Sequence, residues 1–301
     1  MLALLLAVSP GVPLDLARQR AALVSDVSYE LRFEVPESTA APVTGKSTVR
    51  FKLKSVPEEG LVLDFASAPG EHLELAPLKT GDNAFTFDFV SADGPLNRRP
   101  DFLYTLLVPA RAREVFPCFD QPDLKARFDL SLKVPPAWTA AANAPGELKD
   151  GVWRFKTTEP LSTYQFAFVA GGWKLDRGVF HRETDPAKAK DGIAAVLTRG
   201  EAARKYMEEY TGVLMPYPKL EYVVVPGFQY GGMEHPGLLY LNARRVFLDP
   251  AATEDERLKR ASLIAHEVAH LWFGDFVTMR WFDDVWLNEV YANFFADKLV
   301  A

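Results

Sequence analysis

HEVAHLWFGDFVTMRWFDDVWLNE, residues 266–289, decides how this chain is read. Two histidines lie four apart, a glutamate follows the first, and a second glutamate closes the stretch after eighteen intervening residues. The preceding residues, ATEDERLKRASLIA, carry a helix start. Thr253 with Glu256 three residues on forms a capping box, and Glu254 and Asp255 suit the positive end of a helix. Gly274 is placed to end it. Leu263, Ile264, Ala265, Val268, Ala269, Leu271 and Trp272 make the helix apolar on nearly every side, so it is expected to be buried and to carry His266 and His270 inward.

On a helix, positions i and i+4 share a face one turn apart. Two imidazole nitrogens there can reach one tetrahedral zinc. Glu267 is rotated by about 100° from His266. It borders the metal without ligating it, where a base for the attacking water belongs. Glu289 is the candidate third ligand. It lies in FDDVWLNEVYANFFADKLVA, where Asp283 or Asp284 can cap a second helix. Val285, Leu287, Val290, Tyr291, Phe294, Phe295 and Leu299 predict that this helix is largely buried, antiparallel to the first across GDFVTMRW. His, His and Glu with one open position is the ligand set of a hydrolytic zinc site. The competing reading is a set of structural histidines, but a buried polar triplet without a metal is costly.

The chain has 301 residues, which favours two domains over one. A net charge of −6 and the lack of a basic stripe exclude nucleic acid as a main partner. A single cysteine, Cys118, excludes an internal disulfide framework. Leu2 to Val8 is an uncharged apolar run. It reads either as a signal-peptide core without its basic flank, implying an exported or periplasmic protein, or as an arm packed on the first sheet of a cytoplasmic one. No run reaches ~18 uncharged apolar residues, so no transmembrane segment is expected.

Residues 1–22 are read as this arm or signal-like remnant, residues 23–175 as an all-β domain, and residues 176–301 as α+β. In the β region VSYELRFEV, STVRFKLKSV, LVLDF, AFTFDFV, FLYTLLV, ARFDLSLKV, VWRFKT and YQFAFVAGGW follow one another, separated by turn clusters such as NAPGELKDG. Val49, Phe51 and Leu53 share one face. The expected architecture is an antiparallel sandwich or saddle. Beyond it, residues 186–210 have helical composition with a weak point at Gly200, LEYVVVP reads as a strand, and FQYGGMEHPGLLYLN as a further extended stretch.

With HEVAH, the eighteen-residue gap and Glu289 in WLNE, the sequence resembles the gluzincin zinc aminopeptidases, the family of aminopeptidase N and leukotriene hydrolase. Gly231-Gly232-Met233-Glu234-His235 resembles that family's GxMEN motif, and residues 116–135, beginning FPCFDQP, its FPCFDEP segment, which in the family closes one side of the site. The resemblance covers about residues 25–301 and implies a β-saddle domain followed by the first part of a thermolysin-like catalytic domain. It implies one zinc per chain on His266, His270 and Glu289, with Glu267 as base. Glu234 would pair with the free α-ammonium of a peptide substrate, and Gly231 and Gly232 would let the substrate run beside their strand. The implied activity is removal of N-terminal amino acids.

Three departures qualify this. His235 stands where the family has Asn; it can hydrogen-bond a substrate carbonyl and can charge at mildly acid pH. Leu106 and Val108 fall where the family often has Gln or Glu near the amine. The family's oxyanion tyrosine lies well beyond the third ligand, whereas only Tyr291 follows Glu289 here, on the same helix. Two other functions therefore stand beside the first: a metallohydrolase with relaxed exopeptidase character, and a non-catalytic or impaired zinc-binding fragment. The last helix has no Gly or Pro stop, so a C-terminal companion chain or self-association is expected. Asn293 and Asp284 are candidates to orient a ligand, with solvated helix polars as the alternative. Trp272, Trp281 and Trp286 read as core packing.

Overall fold

The computed structural model describes residues 11–300. The Leu2–Val8 run, with its signal-like reading, lies outside the described residues. The chain divides into two compact units between Gly171 and Gly172.

The first unit is β-rich. After helix α1 (Leu14–Leu23) come strands β1 (Val24–Glu34), β2 (Thr44–Leu53), β3 (Val62–Asp64), β4 (His72–Glu74) and β5 (Gly81–Val90). A short helix α2 (Asp93–Leu96) precedes β6 (Phe102–Tyr104), β7 (Ala126–Lys133), β8 (Thr139–Ala142), β9 (Gly146–Lys149), β10 (Val152–Phe155) and β11 (Phe168–Gly171). They form a six-stranded sheet in the order β5-β2-β1-β7-β10-β9, a three-stranded sheet β6-β11-β8, and the pair β3-β4. All pairs are antiparallel except β1 with β7, which run parallel in register from Val27↔Ala126 to Glu34↔Lys133. Alternation decides the faces: Val49, Phe51 and Leu53 of β2 and Tyr29, Leu31 and Phe33 of β1 are buried. Tyr29, Phe33, Phe116, Phe128, Phe166 and Phe168 pack as one aromatic cluster.

Helix α1 is the element the sequence did not announce. It starts at Pro13 without a side-chain cap. What holds it is Arg20, fully buried, whose guanidinium donates to both Asp64 oxygens at 2.7 and 2.8 Å and to the Val62 carbonyl at 2.8 Å. The same guanidinium lies 5.3 Å from the Phe119 ring centre. Gln121 donates to the Ala17 carbonyl at 3.0 Å, and the Asp120 amide donates to Asp64 at 2.8 Å. So α1 is clasped to the FPCFDQP segment inside this unit. Cys118, in that segment, is free and buried. Leu106 is also buried within this unit, and Val108 is half-buried.

The second unit mixes helix and strand. Strands β12 (Lys174–Asp176), β13 (Val179–His181), β14 (Glu221–Val225), β15 (Gly232–Met233) and β16 (Leu238–Asn242) form one sheet in the order β12-β13-β14-β16-β15. The helices are α3 (Pro186–Thr211), α4 (Ala243–Val246), α5 (Glu254–His270) and α6 (Val285–Val300). Helix α3 is the crossover between parallel β13 and β14. It begins at Asp185, which caps the amides of Ala187 and Lys188, and ends at Gly212 in the left-handed region (φ 69°). Gly200 is no weak point: a Cβ there would meet the buried Tyr222 hydroxyl at 2.0 Å, so glycine is what lets helix and strand approach.

Three expectations need correction. The stretch 228–242 is not one extended segment, since residues 234–237 turn between β15 and β16. Helix α5 has its Thr253–Glu256 capping box but ends at His270, four residues before Gly274. Helix α6 is not largely buried: only Asn288, Ala292, Phe295 and Ala296 are buried, while Val285, Trp286, Val290, Tyr291 and Phe294 are exposed. Apolar residues surround this helix on all sides, and the neighbouring elements cover only one of them.

The carboxyl of Asp120 provides a test of the clasp. Burial pushes it up to about 6, against hydrogen bonds from the Thr163 hydroxyl and the Arg113 amide. Between about pH 4 and 6 the folded chain then holds a proton that the unfolded chain has lost, so this residue's contribution to stability rises as pH falls through that window. Relative to Asp120→Asn, the wild type is expected to gain stability as pH falls from about 6 to 4 and to level off below, read by urea denaturation across pH. A difference independent of pH contradicts the assignment.

Candidate metal centre

The C-terminal half of α5 is buried where its N-terminal half is exposed, so the helix runs from solvent into the interior. Its last turn carries His266 and His270, whose Nε2 atoms lie 3.0 Å apart. Helix α6 runs back along α5. Glu289 near its start meets the histidines, while Leu299 and Val300 near its end line a small pocket with Leu258 and Ala261 of α5. Glu289 oxygens lie 3.4 Å from His266 Nε2 and 3.9 Å from His270 Nε2. One donor atom from each of His266, His270 and Glu289 falls within 4.8 Å of the others, so these three could hold a metal ion.

Electrostatics separate the members. Burial pulls His270 below the usual imidazole range, so it is held neutral. Its Nδ1 lies 3.0 Å from the Phe273 carbonyl, which can only accept, so the ring proton belongs on Nδ1 and Nε2 is left with its lone pair toward His266 and Glu289. Glu289, whose side chain is 55% exposed, is held below the usual carboxylate range by its hydrogen bond with His266. Glu267 is the opposite case. Burial pushes its carboxyl well up, and the carboxylates of Glu234 and Glu289 add to the shift.

Glu267 lies against β15. A Cβ on Gly232 would stand 2.3 Å from a Glu267 oxygen, so the glycine is what leaves room for this carboxyl. Glu234, just after β15, is buried rather than a solvated strand end, and joins Glu267 and His270 in a second group of donors within 4.8 Å. β15 is an edge strand of its sheet, so one side of Gly232–Met233 is unpaired among the described residues. Gly231 is half-buried beside Leu263, and Met233 is buried.

Other expected site residues fall elsewhere. His235 is fully buried, both ring nitrogens included, with its ring edge-on to Tyr240 at 4.6 Å. Neither ring nitrogen is exposed to solvent. Asn293 and Asp284 are exposed on the solvent side of α6 and the turn before it, and neither hydrogen-bonds a cluster residue among the described residues. The group that does orient a histidine is the Phe273 carbonyl, which no side-chain pattern could reveal. Trp272 packs in the core and donates to the Val213 carbonyl at 2.9 Å, but Trp286 is exposed.

Two histidines four apart on one helix, with a glutamate directly after the first, form the pattern of HExxH metallopeptidases. Comparison with known proteins makes this specific. Residues 197–301 match the Peptidase family M1 domain and residues 93–165 the Peptidase M1 N-terminal domain. The chain belongs to peptidase family M1. It is 35% identical over 207 residues to an aminopeptidase N of Streptomyces lividans, covering 64% of this chain and 24% of that protein. It is 39% identical over 198 residues to an aminopeptidase N of Lactococcus lactis subsp. lactis, covering 60% and 23%. With an aminopeptidase N of Acetobacter pasteurianus it shares 35% identity over 228 residues, covering 72% and 63%. The chain thus spans about a quarter of the length of the first two.

Because Asn293 and Asp284 make no hydrogen bond or ion pair with the donors among the described residues, Asn293→Ala and Asp284→Ala are expected to leave divalent-metal affinity within about twofold, whereas a partner that orients a ligand typically costs 10–100-fold. Calorimetric titration of the two variants checks this.

Proposed function

We propose that this chain carries the zinc centre and substrate-amine site of an aminopeptidase that removes N-terminal residues from peptides. The observation that carries the proposal is the convergence of His266, His270 and Glu289 beside a buried Glu267, next to an unpaired strand edge. Family membership and the relatives' names support it.

The donor set fits zinc: two imidazole nitrogens and one carboxylate are three of the four ligands a tetrahedral zinc takes. Zinc held there would polarise a scissile carbonyl and lower the pKa of a water beside it. The remaining roles belong to the chain's own residues. Glu267 takes the proton of the attacking water on its carboxylate oxygen and returns it to the leaving amine. The free edge of β15 offers backbone groups to an extended substrate, which binds as an added strand. Glu234, buried at the end of that strand, pairs with the substrate's α-ammonium and so sets the distance from chain end to scissile bond. Its burial from water strengthens the pairing.

The chain is expected to bind one zinc, and Glu267→Gln to keep that zinc while losing hydrolysis of aminoacyl anilides by at least about 10²-fold. Metal analysis after dialysis and a chromogenic anilide panel read the two effects. A wild-type chain that retains no zinc, or a Glu267→Gln variant with undiminished turnover, overturns the reading.

A second reading, in which the zinc-binding chain needs a companion polypeptide, is favoured by α6. Val285, Trp286, Val290, Tyr291 and Phe294 on this one helix are exposed. This many large apolar side chains left exposed on one helix favours an interaction surface. Sedimentation is expected to show association with a companion or with a second copy; a monodisperse monomer of 33.6 kDa contradicts it.

A further inference from the structure

The centre holds two groups of donors, and they share a residue. His266, His270 and Glu289 form the outer group; Glu234, Glu267 and His270 form the inner one. The inner group is buried throughout, whereas Glu289 in the outer group is 55% exposed. Inside it the Glu267 carboxylate, in a residue 4% exposed, makes no hydrogen bond or ion pair among the described residues. Gly232 closes off one side of that carboxylate. Glu234 lies close enough to repel it, with their donor atoms within 4.8 Å of each other. A buried, partnerless carboxylate facing a second carboxylate and an imidazole is a cation site by its chemistry.

We propose that the inner group is a second position for a divalent transition-metal ion, which competes with the outer position for His270. The inference rests on the reading of the outer group as the zinc site. Competition follows from the ring: Nδ1 of His270 faces the Phe273 carbonyl, so only Nε2 is left to ligate, and it serves one ion at a time. An ion at the inner position occupies both Glu267 and Glu234. It leaves no base for the attacking water and no carboxylate for the substrate's ammonium. A chain loaded this way is metal-bound and inactive. Two carboxylates with one imidazole are also a harder donor set than two imidazoles with one carboxylate, so Mn²⁺ is expected to favour the inner position more than Zn²⁺ does.

The test is calorimetric titration with Mn²⁺ and Zn²⁺, read as stoichiometry and affinity. His266→Ala with Glu289→Gln, which dismantles the outer group, is expected still to bind one Mn²⁺. Adding Glu234→Gln is expected to weaken that binding by at least about tenfold. Because Glu289 is exposed, Glu289→Gln alone provides the same comparison in a variant whose fold is not at risk: adding Glu234→Gln to it must again cost Mn²⁺ affinity. If Glu234→Gln changes nothing in either background, or the dismantled variant binds no ion while the wild type binds one, the second position does not exist. A wild type that binds no metal fails at the outer group, and that result removes the function reading together with this one.

Discussion

A neutral imidazole with its lone pair turned into a protein interior needs a cation or a donor to face it. His270 is in that position because burial keeps it neutral and the Phe273 carbonyl fixes its proton on Nδ1. The rest of the second unit is arranged around this constraint. Helix α5 dives from an exposed, capped start to a buried end, α6 brings Glu289 back to that end, and β15 passes close enough that only glycine fits beside Glu267. Without a cation the buried carboxylate of Glu267 faces two other carboxylates with no hydrogen bond or ion pair among the described residues. With one, each donor has a use.

The division of labour among the glutamates follows from exposure. Glu289 is half in water and paired with His266, which keeps it anionic and suits a ligand. Glu267 is buried, with no hydrogen bond or ion pair among the described residues; burial first, and the carboxylates of Glu234 and Glu289 with it, raises its affinity for a proton and suits a base. Two carboxylates in one small region thus differ because their surroundings differ.

Much of this was legible in the sequence, for physical reasons that can be named. Spacing of four on a helix fixes His266 and His270 on one face, and the Thr253–Glu256 box fixes where that helix starts. Alternation along β1 and β2 separates core from solvent. What was not legible depended on tertiary contacts. Helix α1 has neither a capping side chain nor a strong apolar stripe, and it is held by an arginine buried on an aspartate 44 residues away. Asn293 and Asp284 have the right spacing but face solvent, while the group that orients His270 is a backbone carbonyl. His235 lies in the motif beside Glu234, yet its ring turns inward onto Tyr240. Helix α6 is apolar all round, and composition could not say which faces its neighbours leave uncovered.

The most direct test of the account is X-ray absorption at the zinc edge on the zinc-loaded chain. Two imidazole nitrogens and one carboxylate oxygen are expected at ~2.0–2.2 Å, with one further light-atom ligand. A shell containing sulfur, or an all-oxygen shell with no imidazole scattering, would contradict it.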